Sequence, residues 1–163
     1  MYTPSEDHYV TVLRGPSGAG KTTWRKYHKP SAFVCSADHF FNNPTTGEYE
    51  FDVKRLSEAH SWCMSEYLQA LRAKRPCIVV DNTNIKEWEF QNYLQAAELA
   101  FYKMTVVEFF PRTVDECRLV ASRGRHGVPR QLVHAMSLDY TPFPVDRFKN
   151  VTRVCWGPVV TSE

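Results

Sequence analysis

No apolar run in the chain approaches the roughly 20 residues that span a bilayer. The first ten residues, MYTPSEDHYV, are polar and acidic, unlike a secretory signal or a transit peptide. The five cysteines, at 35, 63, 77, 117 and 155, form no CxxC pair and their number is odd. That excludes a disulfide framework and the usual zinc spacings, and it fits reduced thiols in a reducing compartment, cytoplasmic or nuclear. There is no internal repeat, low-complexity tract or linker. A net charge of +2 is too small to announce a nucleic-acid binder. What remains is an ordinary globular composition, 43% hydrophobic and 23% charged over 163 residues, enough for one domain over residues 1–163 with a real core.

Charge is concentrated in one place. Residues 111–134 carry Arg112, Arg118, Arg123, Arg125 and Arg130 against Asp115 and Glu116, a local net of +3. Such a segment either faces phosphates or is a solvated helix face.

The pattern of elements points to an α/β fold. YVTVLRG (9–15), AFVCSAD (32–38), CIVVDN (77–82), KMTVVEFF (103–110) and VTRVCWG (151–157) read as five strands. Helices are expected over Lys21 to His28, from Asp52 to Ala73, from Asn84 to about Phe101, and over 113–123 and 129–137. In the second helix Val53, Leu56, His60, Cys63, Tyr67 and Leu71 recur at spacings of three and four and form its apolar face. Asn84 is placed to cap the third helix with Glu87 as its capping-box partner. Residues 39–51 are turn-rich, with NPTTG at a loop tip. Strands alternating with helices imply a mostly parallel sheet covered on both faces.

The strongest motif is Gly15-Pro16-Ser17-Gly18-Ala19-Gly20-Lys21-Thr22, a full G-x-x-x-x-G-K-[ST], with a strand before it and a helix after it. Its glycines let successive N–H groups converge on phosphates, and the following helix adds its positive end. Lys21 is expected to reach the β- and γ-phosphates of ATP or another NTP, and Thr22 to ligate Mg²⁺; Thr23 completes the nucleotide-binding run. The chain lacks the N-K-x-D guanine reader of GTPases, and DNTN stands where they carry D-x-x-G. AAA-type ATPases are usually larger, with a second subdomain. A compact phosphotransferase with its acceptor site and lid in one domain fits best.

Three further features support transfer over binding. Asp38 ends the second strand, at the crevice of an open sheet, where a carboxylate either takes the proton of an attacking hydroxyl or caps the next helix. Asp81 ends the third strand, the usual place of an acid that holds Mg²⁺ through water. Asn82, Thr83 and Asn84 follow it, positioned for substrate or for capping. In SRGRHGVP (122–129) Arg123 and Arg125 flank a glycine between two helices, as in a mobile arginine lid over about 112–137.

Taken together, GPSGAGKTTW (15–24), SADHF (36–40), VVDNTN (79–84) and RGRHGVP (123–129) resemble the 5′-hydroxyl polynucleotide kinase branch of P-loop kinases, related to the zeta-toxin and gluconate-kinase-like groups. The resemblance implies that Asp38 is the general base, that Lys21 and Arg123 stabilise the γ-phosphoryl group, and that Thr22 and Asp81 hold the metal. It implies a 5′-OH nucleic acid end as acceptor, in nucleic-acid repair or processing. Arg125 competes for the lid role, and His126 is placed to contact a phosphate. Viral polynucleotide kinases carry an arginine three residues after the base; Phe41 stands there, either stacking a base or belonging to the core. The alternatives are a small-molecule or nucleotide-sugar kinase of the same fold, and a nucleotide-binding module that transfers nothing.

Overall fold

The computed structural model describes residues 3–4, 6–111, 113–123 and 129–156. Five strands, β1 (Tyr9–Arg14), β2 (Phe33–Cys35), β3 (Cys77–Asp81), β4 (Lys103–Glu108) and β5 (Val151–Cys155), form one sheet in the order β2-β3-β1-β4-β5. Every pairing is parallel. At the centre Val12 of β1 faces Val80 of β3 on one side and Val106 of β4 on the other. Such strands are buried on both faces, which is why they read as continuous apolar runs.

The helices are α1 (Lys21–His28), α2 (Leu56–Arg72), α3 (Glu87–Leu99), α4 (Val114–Ser122) and α5 (Arg130–Leu138). Alternation along the strands sends side chains to two cores. Val10, Val12, Ile78 and Val80 pack with Ala59, Cys63 and Tyr67 of α2 and with Phe90 and Leu94 of α3. Leu13, Val79 and Val107 pack on the other face with Val120 of α4, Val133 of α5 and the half-buried Trp24 of α1. Burial of a side chain such as Phe90 or Leu94 contributes about 1.5–3 kcal/mol. The chain leaves β1 towards β2 and β3, then returns across β1 to β4 and β5. The loop after β1 therefore lies at the point where strand order reverses, the place where open sheets bind ligands.

Several boundaries differ from the sequence expectation. Val53–Arg55 forms a 3₁₀ turn ahead of α2, so Val53 and Leu56 fall off the core face and are exposed, while Ala59 and Ala70 are buried. Asn84 does not begin α3: its backbone is left-handed, with φ 48°. The helix starts three residues later, where the Glu89 carboxylate accepts from the Lys86 N–H at 2.7 Å. All five cysteines are free. No helix among the described residues is long and apolar enough to cross a membrane.

Candidate active site

The loop from Gly15 to Thr22 connects β1 to α1, and its shape is enforced by neighbours. A Cβ on Gly15 would lie 2.8 Å from the Phe109 Cβ, inside contact distance. Gly18 is left-handed at φ 84°, and a Cβ there would meet the Val120 carbonyl oxygen at 2.6 Å and the Arg123 Cβ at 3.0 Å. The phosphate loop is thus pressed against the C-terminal end of α4, and Arg123 stands at that contact. The Lys21 ammonium folds back on the loop, donating to the Gly15 carbonyl at 2.7 Å and the Pro16 carbonyl at 2.9 Å. Burial lowers its pKa, while the charges of Asp81 and Asp38 oppose that shift. Both carboxylates therefore act on the same ammonium.

Beneath the loop is a buried charge network. Arg14, the last residue of β1, is fully buried and pairs with Glu108 of β4 at 2.7 Å. It also donates to the carbonyls of Asn84 at 2.8 Å, Ile85 at 3.0 Å and Thr141 at 2.7 Å, and it lies over the Phe90 ring at 4.2 Å. Arg153 of β5 binds the other Glu108 oxygen. Burial brings the Arg14 guanidinium down to about 10, against the pull of Glu108, so it stays charged at neutral pH. This pair ties the residue before the phosphate loop to the segments following β3 and α5.

The VVDNTN element divides into a site residue and a framework. The Asp81 carboxylate points to α1, where one oxygen accepts from the Thr22 hydroxyl at 3.3 Å and from Arg25 Nε at 3.2 Å. Asn82 is buried, accepts from the Ala37 N–H at 2.8 Å and donates to the Cys63 sulfur at 3.5 Å. It holds the end of β2 to the end of β3. The buried Asn84 donates to the Leu13 carbonyl at 2.8 Å, and the Thr83 carbonyl accepts from the Gly15 N–H at 2.8 Å. Both amide atoms of Asn82 and the amide nitrogen of Asn84 are bonded inside the protein, so the two side chains serve the framework of the site.

Asp38 lies in a 3₁₀ turn, Ala37–Phe41, directly after β2. The turn is capped by Ser36, whose hydroxyl accepts from the Asp38 N–H at 3.3 Å. The Asp38 side chain is therefore not the cap. It is exposed, and its Oδ1 accepts from the Tyr49 hydroxyl at 3.3 Å. His39 is next to it; burial and the charge of Arg25 hold its pKa below the ordinary value, with Asp81 and Asp38 pulling the other way. Phe41 is 4% exposed and packs on Phe40, Tyr49 and Phe51, which corrects its candidacy as a base-stacking residue. A buried ring offers no face to a ligand.

The sequence reading missed Arg25 and Tyr49. Arg25 lies four residues after Lys21 and three after Thr22, a spacing that puts all three on one face of α1, and it was legible in principle. Tyr49 had no local signal, because its approach to Asp38 depends on how the intervening loop pairs. Arg118 and Arg130 of the basic segment line a groove of about 440 Å³ between α4 and α5 with Ser122, Gln131 and His134. Arg112, Arg125 and His126 lie outside the described residues. Thr22 and Thr23 are exposed and Ser17 is half-buried.

A family described as AAA domain matches residues 10–141, from within β1 to just beyond α5. The sequence reading had set AAA-type ATPases aside on size, and the matching family carries that description. NEDD4-binding protein 2 of Homo sapiens is 31% identical over 137 residues, which is 82% of this chain and 8% of that protein. The chain thus spans a small fraction of that relative's length. Among solved structures, a gluconokinase from Sinorhizobium meliloti 1021 superposes with a TM-score of 0.57 at 13% identity, covering 96% of this chain and 86% of that one. Chaetomium thermophilum Kti12, solved in complex with ADP-AlF3, gives a TM-score of 0.54 at 15% identity, covering 90% and 89%. The chain belongs to the AAA domain family, and it shares its fold with that gluconokinase and with Kti12.

Proposed function

We propose that the protein is an ATP- and Mg²⁺-dependent kinase that phosphorylates the 5′-hydroxyl end of a polynucleotide, DNA or RNA, in nucleic-acid repair or processing. The observation that carries this reading is Asp38: an exposed carboxylate at the end of β2, released from capping by Ser36, whose charge reaches the Lys21 ammonium in the phosphate loop. A protein that only bound nucleotide would have no use for a base there. In the reaction the acceptor oxygen attacks the γ-phosphorus as the bond to the β–γ bridging oxygen breaks. The hydroxyl proton passes to Asp38, and ADP leaves.

The residues present fit a magnesium ion. The Thr22 hydroxyl and the Asp81 carboxylate are hard oxygen donors 3.3 Å apart. Among the described residues no cluster of three His, Cys, Asp or Glu side chains could hold a metal. That suits an ion which keeps its waters and is shared with substrate phosphates. Bound there, it would neutralise charge on the β- and γ-phosphates. Lys21 would leave the two loop carbonyls for the γ-phosphate, and Arg123, already against Gly18, would support the same charge from the lid side.

The second reading is a small-molecule kinase. It is favoured by the burial of Phe41, three residues after the proposed base, and by the fold likeness to a gluconokinase. One assay separates the two: γ-labelled ATP offered with 5′-OH DNA and RNA oligonucleotides, and with a panel of sugars and nucleosides. Label on the oligonucleotides supports the first reading. Label confined to a sugar or nucleoside rejects it, and label on no acceptor rejects both.

A further inference from the structure

The stretch 42–51 reads in the sequence as a turn-rich insert with no assigned task. In the structure it is a short hairpin that closes on itself. Asn42 and Tyr49 form an antiparallel bridge, the Asn43 N–H donates to the Glu48 carbonyl at 2.7 Å, and the Glu50 N–H donates to the Phe41 carbonyl at 2.8 Å. At the tip the Asn43 side chain accepts from the N–H groups of Thr45 and Thr46 at 2.8 and 3.1 Å. Gly47 turns the chain at φ 73° and donates to the Asn43 carbonyl at 2.8 Å. These bonds define the turn of the hairpin. Buried Phe41 anchors its base, and the Tyr49 ring lies edge-on to Phe41 at 6.1 Å and parallel to Phe51 at 6.4 Å. The framework delivers one polar atom to the active site, the Tyr49 hydroxyl at 3.3 Å from Asp38 Oδ1.

We propose that Tyr49 is a positioning residue for the phosphoryl transfer, holding Asp38 Oδ1 so that Oδ2 is the oxygen that receives the acceptor's proton. The proposal rests on the reading of Asp38 as the base. An exposed carboxylate with no fixed partner samples many orientations, and productive proton transfer needs one. A donor to one oxygen confines the group and leaves the other free. Tyr49 does not act as a base itself: burial, and then the charge of Asp38 and the bond to it, push its pKa upward, so the phenol stays protonated and donates.

The other groups that sense Asp38 are Lys21 of the phosphate loop, Cys63 of α2 and His39 of its own turn, with Arg25 and Asp81 acting on that same His39. Burial holds the Cys63 thiol above its ordinary value and His39 is held below, so both are neutral near pH 7. Replacing Tyr49 by phenylalanine removes the donor without changing any of these charges. The Asp38 carboxylate then loses the donor that confines it, and turnover should fall while nucleotide binding is kept.

The test compares Tyr49→Phe with Phe51→Leu, which disturbs the same hairpin but keeps the hydroxyl. Turnover is read with γ-labelled ATP and a 5′-OH oligonucleotide, and the ¹³C signal of the Asp38 carboxyl is recorded at one fixed pH. Tyr49→Phe is expected to lower kcat about tenfold with the KM for ATP unchanged, and to move the Asp38 signal. Phe51→Leu should keep both at their wild-type values. Unchanged kcat in Tyr49→Phe overturns the proposal, and so does an equal loss in Phe51→Leu, which would assign the effect to packing. If the wild type phosphorylates no acceptor while Tyr49→Phe still moves the signal, the contact is real but the kinase reading falls, and the positioning role with it.

Discussion

On the donor side of the crevice, backbone conformation and close packing set the geometry. Gly15 and Gly18 sit where a Cβ would collide with Phe109 and Val120, and Lys21 is bonded to the loop's own carbonyls. Around Asp38, the acceptor side under the proposed function, a side chain does the same work: Tyr49 reaches Asp38 from a hairpin. A backbone cradle suits a ligand part common to every nucleotide. Side chains on a hairpin can change without disturbing the sheet, which is where a family would vary its acceptor. Under the proposed function nucleotide binding and acceptor choice are separable, and mutations on the two sides should fail in different ways.

The sharpest separation is expected from Asp38→Asn. It should lower phosphoryl transfer by about 10²–10⁴-fold and leave ADP affinity, measured by calorimetry, close to wild type. Lys21→Ala should cost about 10²–10³-fold in turnover, and unlike the acceptor-side change it should also weaken ADP binding. Glu108→Ala leaves the Arg14 guanidinium buried without its partner, and breaking such a pair typically costs about 3–5 kcal/mol. A lowered Tm together with weaker nucleotide binding would show that the network beneath the loop supports the cradle; a lowered Tm alone would confine it to folding. Gly18→Ala forces a side chain into a left-handed backbone and against Val120, at about 1–2 kcal/mol for the conformation alone, and should reduce nucleotide affinity before turnover at saturating ATP. The smallest effect is expected from Arg25→Met. Arg25 and Thr22 share one Asp81 oxygen, so removing the arginine should tighten Mg²⁺ binding to the nucleotide complex by a few-fold. Weaker binding instead would mean that Arg25 orients Asp81 for the metal.

Much of this was readable from the sequence because it is local. The five strands are apolar runs ended by turn residues, and the phosphate loop is a contiguous motif between a strand and a helix. Asp38 and Asp81 are marked by their place at strand ends. What failed depended on tertiary placement. The apolar stripe of the second helix was extended to Val53 and Leu56, because periodicity cannot show where a 3₁₀ turn rotates the face. Asn84 looked like a cap because Asn before a helix usually is one, yet its amide is taken by Leu13 from the neighbouring strand. Phe41 was left between stacking and core, and contact with Phe51 and Tyr49 decides for the core. Tyr49 itself, eleven residues beyond Asp38 in sequence, comes into contact with it only once the hairpin has formed.

The proposed role of Asp38 is to take a proton from a hydroxyl acceptor as that hydroxyl receives the γ-phosphate. The decisive experiment incubates wild-type protein and Asp38→Asn with γ-labelled ATP, Mg²⁺ and a 5′-OH oligonucleotide, and separates labelled oligonucleotide from inorganic phosphate. Label on the 5′ end is expected with the wild type, almost none with Asp38→Asn, and equal ADP affinity for both. Near-equal transfer by the two proteins, or label released only as inorganic phosphate, would contradict it.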